Sequence, residues 1–358
     1  MPKARSGGPS SPFFGIGHLL RLRSEQLAFY RDMQARYGDA VLLRLGTYRT
    51  WLLFHPEHIE EVLASQASCF IRFERVMRVL AQWNGQSLLV SEGERWRARR
   101  REVLPAFASR RLPGYGDRIV ARTLAMCDAW EAVTRANAIT LDTDREMVAL
   151  TLEIAADTLF GERLEDEAAD IGSAVATLSE VAFRESTTPF QVPDWVPLPL
   201  KARKRRAMMT MGALVKRIVD TRMEAPKDDR GDLLSILVDG GRADPTAVRD
   251  EVMTLLIAGH ETTGATLSWA SYLLGRHPHV LNQVQNEIEN VVGSRPPSAN
   301  DLSRLELLRR VIEETLRLYP PAYALFPRRA TSNVAIGDLT IRKGDLAQIG
   351  RASCRERV

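Results

Sequence analysis

Residues 243–278 read ADPTAVRDEVMTLLIAGHETTGATLSWASYLLGRHP. The two ends of this stretch are those of one long helix. Asp244 suits an N-cap and Pro245 the first helical position, while Gly275 and Pro278 mark the far end. A helix of about 30 residues at about 1.5 Å per residue would run roughly 45 Å, long enough to cross a domain. Its middle is at odds with its flanks. Gly259, His260, Glu261, Thr262, Thr263 and Gly264 interrupt an apolar run. Glycine weakens a helix, threonine hydroxyls can bond back to the carbonyl four residues earlier and bend it, and a buried carboxylate must find partners. Several such costs at one point predict a functional distortion. A Thr-Thr pair alone would ordinarily be two hydroxyls bonded to their own helix. His260 alone would be a satisfied histidine, since no second histidine stands at metal-ligand spacing on this helix.

Upstream, a helix is expected over residues 24–37, ending at Gly38. AVLLRLGTYRTWLLFHP then predicts two strands around Gly46–Thr47. Pro56 opens a short helix through about Ala64, and from Glu94 to Gly350 the pattern is mainly helical. STTPFQVPDWVPLPLKARKRR carries four prolines and reads as a long loop inside one domain, with KARKRR starting the next helix. APKDDRGDLL is another connection. After Tyr319, VAIGDLTIRKGDLAQI predicts short strands around turns at Gly337–Asp338 and Lys343–Gly344. The expected fold is mainly α, with a small β part near each end.

Three further segments carry side chains suited to chemistry. In GERWRARRREVLPAF, Trp96 and Arg100 are four apart and share a helix face. An indole N–H and a guanidinium there suit an anionic carboxylate. Arg95, Arg97, Arg99 and Arg101 read as a solvated basic face or a docking surface for an acidic partner. In EETLRLYPPA, Glu314 and Arg317 are three apart and can form an ion pair. LFPRRATSNVAIGDLTIRKGD supplies Arg328, with Arg329 as a rival beside it.

Taken in order, AGHETT, the Trp-x-x-x-Arg helix, the Glu-x-x-Arg helix and the strand region after it resemble the haem-thiolate monooxygenases, the cytochrome P-450 family. The resemblance runs from about Phe13 to Gln348 and implies a fold with a long central helix over a haem. It implies that Ala258 and Gly259 border a groove for dioxygen, and that Glu261 and Thr262 form an acid–alcohol pair relaying protons. It further implies that Trp96, Arg100 and Arg328 hold haem propionates and that Glu314 and Arg317 are structural. Arg342 departs from the family pattern, which often has proline there. The implied reaction is oxygen insertion into a lipophilic small molecule. O2 and haem are required, with electrons from NAD(P)H through a separate ferredoxin, flavodoxin or reductase. Residues 71–86, 181–183 and 322–326, with Ala258, would line the substrate pocket. The alternative is a non-catalytic helical protein that binds an apolar small molecule.

The family's axial cysteine sits in a Phe- and Gly-rich loop well beyond the Glu-x-x-Arg helix. Cys69 and Cys127 are expected to be ordinary buried thiols, and Cys354, in RASCRERV, lacks the glycines of such a loop. No metal ligand is assigned. Residues 1–348 are therefore expected to form one incomplete monooxygenase domain, inactive as it stands. Residues 349–358 are expected to be a non-native tail, since IGRASCRERV resembles a translated sequencing adapter.

Composition sets outer limits. In 358 residues, 45% hydrophobic and 26% charged residues describe a soluble globular chain. A formal net charge of +4 is too small to imply nucleic acid. The N-terminus has no long apolar run, so neither a signal peptide nor a transmembrane anchor is expected. Three separated cysteines without a CxxC pair suggest a reducing, cytoplasmic setting.

Overall fold

The structure is a computed structural model that describes residues 8–136, 138, 140–164, 167–188, 192–224, 232–239 and 244–350. Cys354 lies outside the described residues. In chain order the first elements are α1 (Ile16–Ser24), α2 (Gln26–Tyr37), β1 (Ala40–Leu45), β2 (Tyr48–Leu53), α3 (Pro56–Glu60), β3 (Phe70–Arg72) and α4 (Glu74–Asn84). A run of helices follows: α5 (Gly93–Val103), α6 (Leu112–Ala136), α7 (Thr143–Phe160), α8 (Ala168–Thr187), α9 (Pro199–Glu224), α10 (Leu233–Asp239), α11 (Pro245–Arg276), α12 (Pro278–Val291) and α13 (Glu306–Leu318). The strands β4 (Arg328–Ala330), β5 (Val334–Ile336), β6 (Leu339–Ile341) and β7 (Leu346–Ile349) come last. The mainly helical reading is borne out.

The chain divides into two compact units. One comprises the described residues within 1–82, 179–201 and 322–358 and holds all the strands found among the described residues. The hairpin expected at Gly46–Thr47 is present, with Leu45 opposite Tyr48 and Gly46 at φ 62°, the conformation a two-residue hairpin turn demands. The strands and turns expected at the other end form, Gly337 joining the paired strands β5 and β6 and Gly344 preceding β7, both at positive φ. What the local pattern did not contain is that both ends share one sheet, ordered β1-β2-β7-β4-β3. β7 runs parallel to β2, with Trp51 opposite Ala347, and antiparallel to β4. Val62, Ile336 and Ile341 share one buried cluster with Trp51, Phe70 and Ala347 of this sheet.

The helix expected over residues 24–37 starts at Gln26, because Glu25 leaves helical geometry (φ −141°) and α1 precedes it. Gly38, at φ 87°, ends it as expected. The helix opened by Pro56 continues past Glu60 in a wider turn to Ser65. The proline-rich stretch joins α8 to α9.

The second unit comprises residues 83–178 and 202–321 and is built around α11. Its principal neighbour is α7, with α10, α12 and α13 also against it. α11 has 32 residues, or about 48 Å at about 1.5 Å per residue. Asp244 caps it by accepting the Thr246 N–H at 3.0 Å, and Pro245 occupies its first turn. α7 begins at a similar cap, Asp142 accepting the Arg145 N–H. The first turn of α13 is capped from α12, where Glu287 accepts the N–H groups of Leu307 and Leu308 at 2.8 and 3.0 Å. Those two bonds hold the Glu287 carboxyl below its ordinary pKa. None of the described helices is long and apolar enough to cross a membrane.

Candidate active site

The centre of α11 remains helical throughout. Thr262 and Thr263 each donate to the carbonyl four residues back, Ala258 and Gly259, both at 3.0 Å. Back-bonding is thus present as the residue types require, although it does not break the helix. A second helix also reaches this point. The Thr151 hydroxyl on α7 lies 3.0 Å from the His260 carbonyl and 2.8 Å from Met147 O. Gly264 permits that approach, since a Cβ there would fall 3.0 Å from Thr151 Oγ1 and 3.1 Å from Val148 Cα.

His260 is the satisfied histidine its setting suggested. It is buried, its Nδ1–H donates to Leu256 O at 2.8 Å, and burial pushes its pKa down, so the ring is neutral. Ala258 and Thr262 are exposed, one turn apart on the same face. Glu261 is half-buried. The expectation of a buried carboxylate at the helix centre needs correction, because the fully buried acid of α11 is Glu251, ten residues earlier.

Glu251 accepts the Leu88 N–H on both oxygens, at 2.9 and 3.2 Å, with Arg99 Nε 3.8 Å away. Burial pushes its pKa up to about 7 against the opposing pull of that N–H and that guanidinium. Its neighbour Asp250 accepts the Gln86 N–H at 2.7 Å and is also raised by burial. Thr254 adds bonds to Asn84 Oδ1 at 3.0 Å and Ser87 Oγ at 2.6 Å. Sequence reading missed this cluster. Its visible signal was an acid pair on the apolar first half of a long helix.

Trp96 and Arg100 sit together on α5, the guanidinium carbon 5.3 Å from the indole ring centre. Trp96 is half-buried and Arg100 exposed. Of the other arginines, Arg97 pairs with Glu94, Arg95 donates to Gln86 at 2.7 Å, and Arg101 reaches the Arg97 carbonyl. Arg99 departs from the expected solvated face, since it pairs with Glu102 at 3.1 Å and also turns toward buried Glu251. Glu314 and Arg317 form the expected ion pair through two bonds, 2.7 and 2.6 Å. The guanidinium holds the Glu314 carboxyl below its ordinary value. Trp269 of α11 stacks on Tyr319, just beyond α13, with ring centres 4.0 Å apart and planes 7° apart.

Arg328 belongs to the other compact unit, on β4 opposite Arg72 and Ala347. Its rival Arg329 is engaged by Glu74 through two bonds. Alternate residues of a strand point to opposite faces, so the two arginines are not interchangeable. Cys127 is exposed and Cys69 half-buried. This corrects the expectation of two buried thiols, and the reason is that residue 127 lies on a solvent-facing side of α6. Among the described residues no three His, Cys, Asp or Glu side chains cluster to hold a metal ion.

The donor set on α5 fits a haem. An indole N–H and an exposed guanidinium on one helix face match the hydrogen-bonding needs of a propionate. Ala258 and Thr262 leave a small side chain and a hydroxyl-bearing one exposed on one face of α11.

Comparison with known proteins gives the family. Residues 6–354 match the family model described as Cytochrome P450. Cyclooctatin synthase of Streptomyces melanosporofaciens is 34% identical over 328 residues, covering 90% of this chain and 70% of that protein. Cyclooctat-9-en-7-ol 5-monooxygenase of the same organism is 33% identical over 341 residues, covering 92% and 72%. Pentalenene oxygenase of Streptomyces avermitilis is 29% identical, again covering 92% and 72%. The chain belongs to the cytochrome P450 family, whose reaction class is haem-dependent monooxygenation.

Proposed function

We propose that this chain serves the oxygenation of an unsaturated, largely hydrocarbon small molecule, with Thr262 and Glu261 handling protons. Bound haem would supply the binding and reductive activation of O2. The observation that carries the reading is the α11 face on which Thr262 and Ala258 stand exposed one turn apart. The Thr262 hydroxyl is parked on the Ala258 carbonyl at 3.0 Å, within a rotamer change of offering its hydrogen outward. Glu261 is the adjacent acid, half-buried and so open to proton exchange with water. Gly259, beside Ala258, turns toward α7, where a Cβ on it would meet Ala155 Cβ at 3.6 Å.

Trp96 and Arg100 are our assignment for one haem carboxylate. Their ring-to-guanidinium contact orders the arginine before any ligand is present. Glu314 and Arg317 are structural. The substrate class is suggested by two relatives, one named for pentalenene and one for an unsaturated alcohol. Electrons would come from NAD(P)H through a separate redox protein.

The test is Thr262→Ala, assayed with haem and a redox partner chain supplied. Haem content should be unchanged while product formed per NAD(P)H consumed falls and peroxide rises. Unchanged coupling would remove Thr262 from proton handling.

A further inference from the structure

The fully buried acid of α11 has no part in the proton handling proposed above, yet it sits on the same side of the helix. Glu251, Ala258 and Thr262 are spaced seven and eleven residues apart, close to two and three helical turns, so all three lie along one face. At Glu251 that face receives a backbone segment. Residues 84–88 meet α11 through the Leu88 N–H on Glu251, the Gln86 N–H on Asp250 and the Asn84 and Ser87 side chains on Thr254. The fit is close. Gly85 has φ +53°, and a Cβ there would fall 2.0 Å from an Asp250 carboxylate oxygen. The segment then folds back on itself, with the Ser91 hydroxyl 3.0 Å from the Gln86 carbonyl, and runs directly into α5. Arg95 of α5 holds Gln86, and Arg99 of α5 approaches Glu251 itself.

We propose that Glu251 is a positioning residue that locks residues 84–88, and with them α5, onto the long helix, and that the lock closes with uptake of one proton. The proton follows from burial. A carboxyl sealed from water with one backbone N–H and a guanidinium at 3.8 Å is under-compensated as an anion. Opening the segment returns it to water, where an ordinary glutamate titrates near about 4.3. In the closed form burial holds it up to about 7. Between those values closing binds a proton, so the lock loosens as pH rises and levels off above about 7.

The charged groups facing Glu251 are Arg99 and Glu102 from α5 and Asp250 on its own helix. Arg249 and Asp244 act on Asp250. Asp232, just ahead of α10, is neutralised by Arg222 through two bonds of 2.8 and 2.9 Å. That the lock bears on haem retention rests on the reading of α5 given above, whereas the lock itself does not.

The test is amide hydrogen exchange at Leu88 in the full chain from pH 5 to pH 8, expressed as protection over the intrinsic rate. Protection should fall by up to about tenfold per pH unit between pH 5 and 7 and then flatten. In Glu251→Gln the slope between pH 5 and 7 should be largely lost, leaving only the part that the raised Asp250 carboxyl contributes, and protection should exceed the wild-type value at pH 8. A flat wild-type profile, or an unchanged slope in the variant, overturns the proposal. Should Glu251→Gln not fold, Arg99→Gln serves instead. Loss of that cation should move the wild-type profile to higher pH, and an unmoved profile overturns the proposal. A second arm measures haem transfer to an acceptor globin, expected to be faster at pH 8 than at pH 6 in the wild type alone. Exchange that follows the proton while haem transfer does not would overturn the α5 reading and leave the lock standing.

Discussion

The Thr151 hydroxyl of α7 lies 3.0 Å from the His260 carbonyl of α11, at the centre of the AGHETT stretch. This side chain ties two packed helices at the point where α11 carries its glycines and threonines. Thr151→Val keeps the shape and removes the bond. Unfolding in urea should show a loss of about 1 kcal/mol, and no loss would mean that the hydroxyl adds nothing net to the packing of α7 on α11.

Two glycines of the same helix should respond in opposite directions to alanine. At Gly264 a Cβ would press on Val148 Cα at 3.1 Å and on Thr151 Oγ1 at 3.0 Å, so overpacking should cost about 1–3 kcal/mol. At Gly275 nothing stands within 4 Å, so Gly275→Ala should stabilise by up to about 1 kcal/mol through helix propensity. Thermal melts of both variants check the pair.

Arg100→Ala should weaken haem retention more than it weakens the fold. The residue is exposed and its contact is the Trp96 ring, so its removal exposes no buried partner. A charge-assisted bond to a carboxylate is worth about 1.5–3 kcal/mol, or roughly 10- to 100-fold in haem dissociation. Equal dissociation rates would make α5 a surface helix only.

Glu251 also sets a pH dependence of global stability. Its folded pKa, about 7, stands above its unfolded value, so the folded state binds the extra proton. The stabilisation is fully present below about pH 4.3 and is lost as pH rises through about 7. Relative to Glu251→Gln, the wild type should lose on the order of 2 kcal/mol between pH 5 and pH 8. Urea midpoints of the two proteins across that range measure it, and parallel curves would place Glu251 in contact with water.

The features legible in the sequence are those encoded by near neighbours. Asp244 and Pro245 announce the start of α11 and Pro278 its end. Gly46 and Gly337 announce turns because positive φ is costly for other residues. Trp96 with Arg100, and Glu314 with Arg317, meet because three- and four-residue spacings share a helix face.

Burial and long-range partnership were decided only by the tertiary structure. Glu251 and Glu261 are both acids on one helix, and only the return of residues 84–88 over the first makes it the buried one. Arg328 and Arg329 are adjacent and chemically identical, and the pairing of Arg329 with Glu74, 255 residues away, appears only in the fold. β2 and β7 each read as a strand with no partner specified, and their parallel pairing joins the two ends of the chain. By itself the sequence determined where elements begin and end and which motifs follow one another, because those depend on backbone preferences and spacing along a few turns. Tertiary structure decided which polar groups lose their water and which carboxylate meets which donor, because desolvation depends on what the rest of the chain lays over a residue.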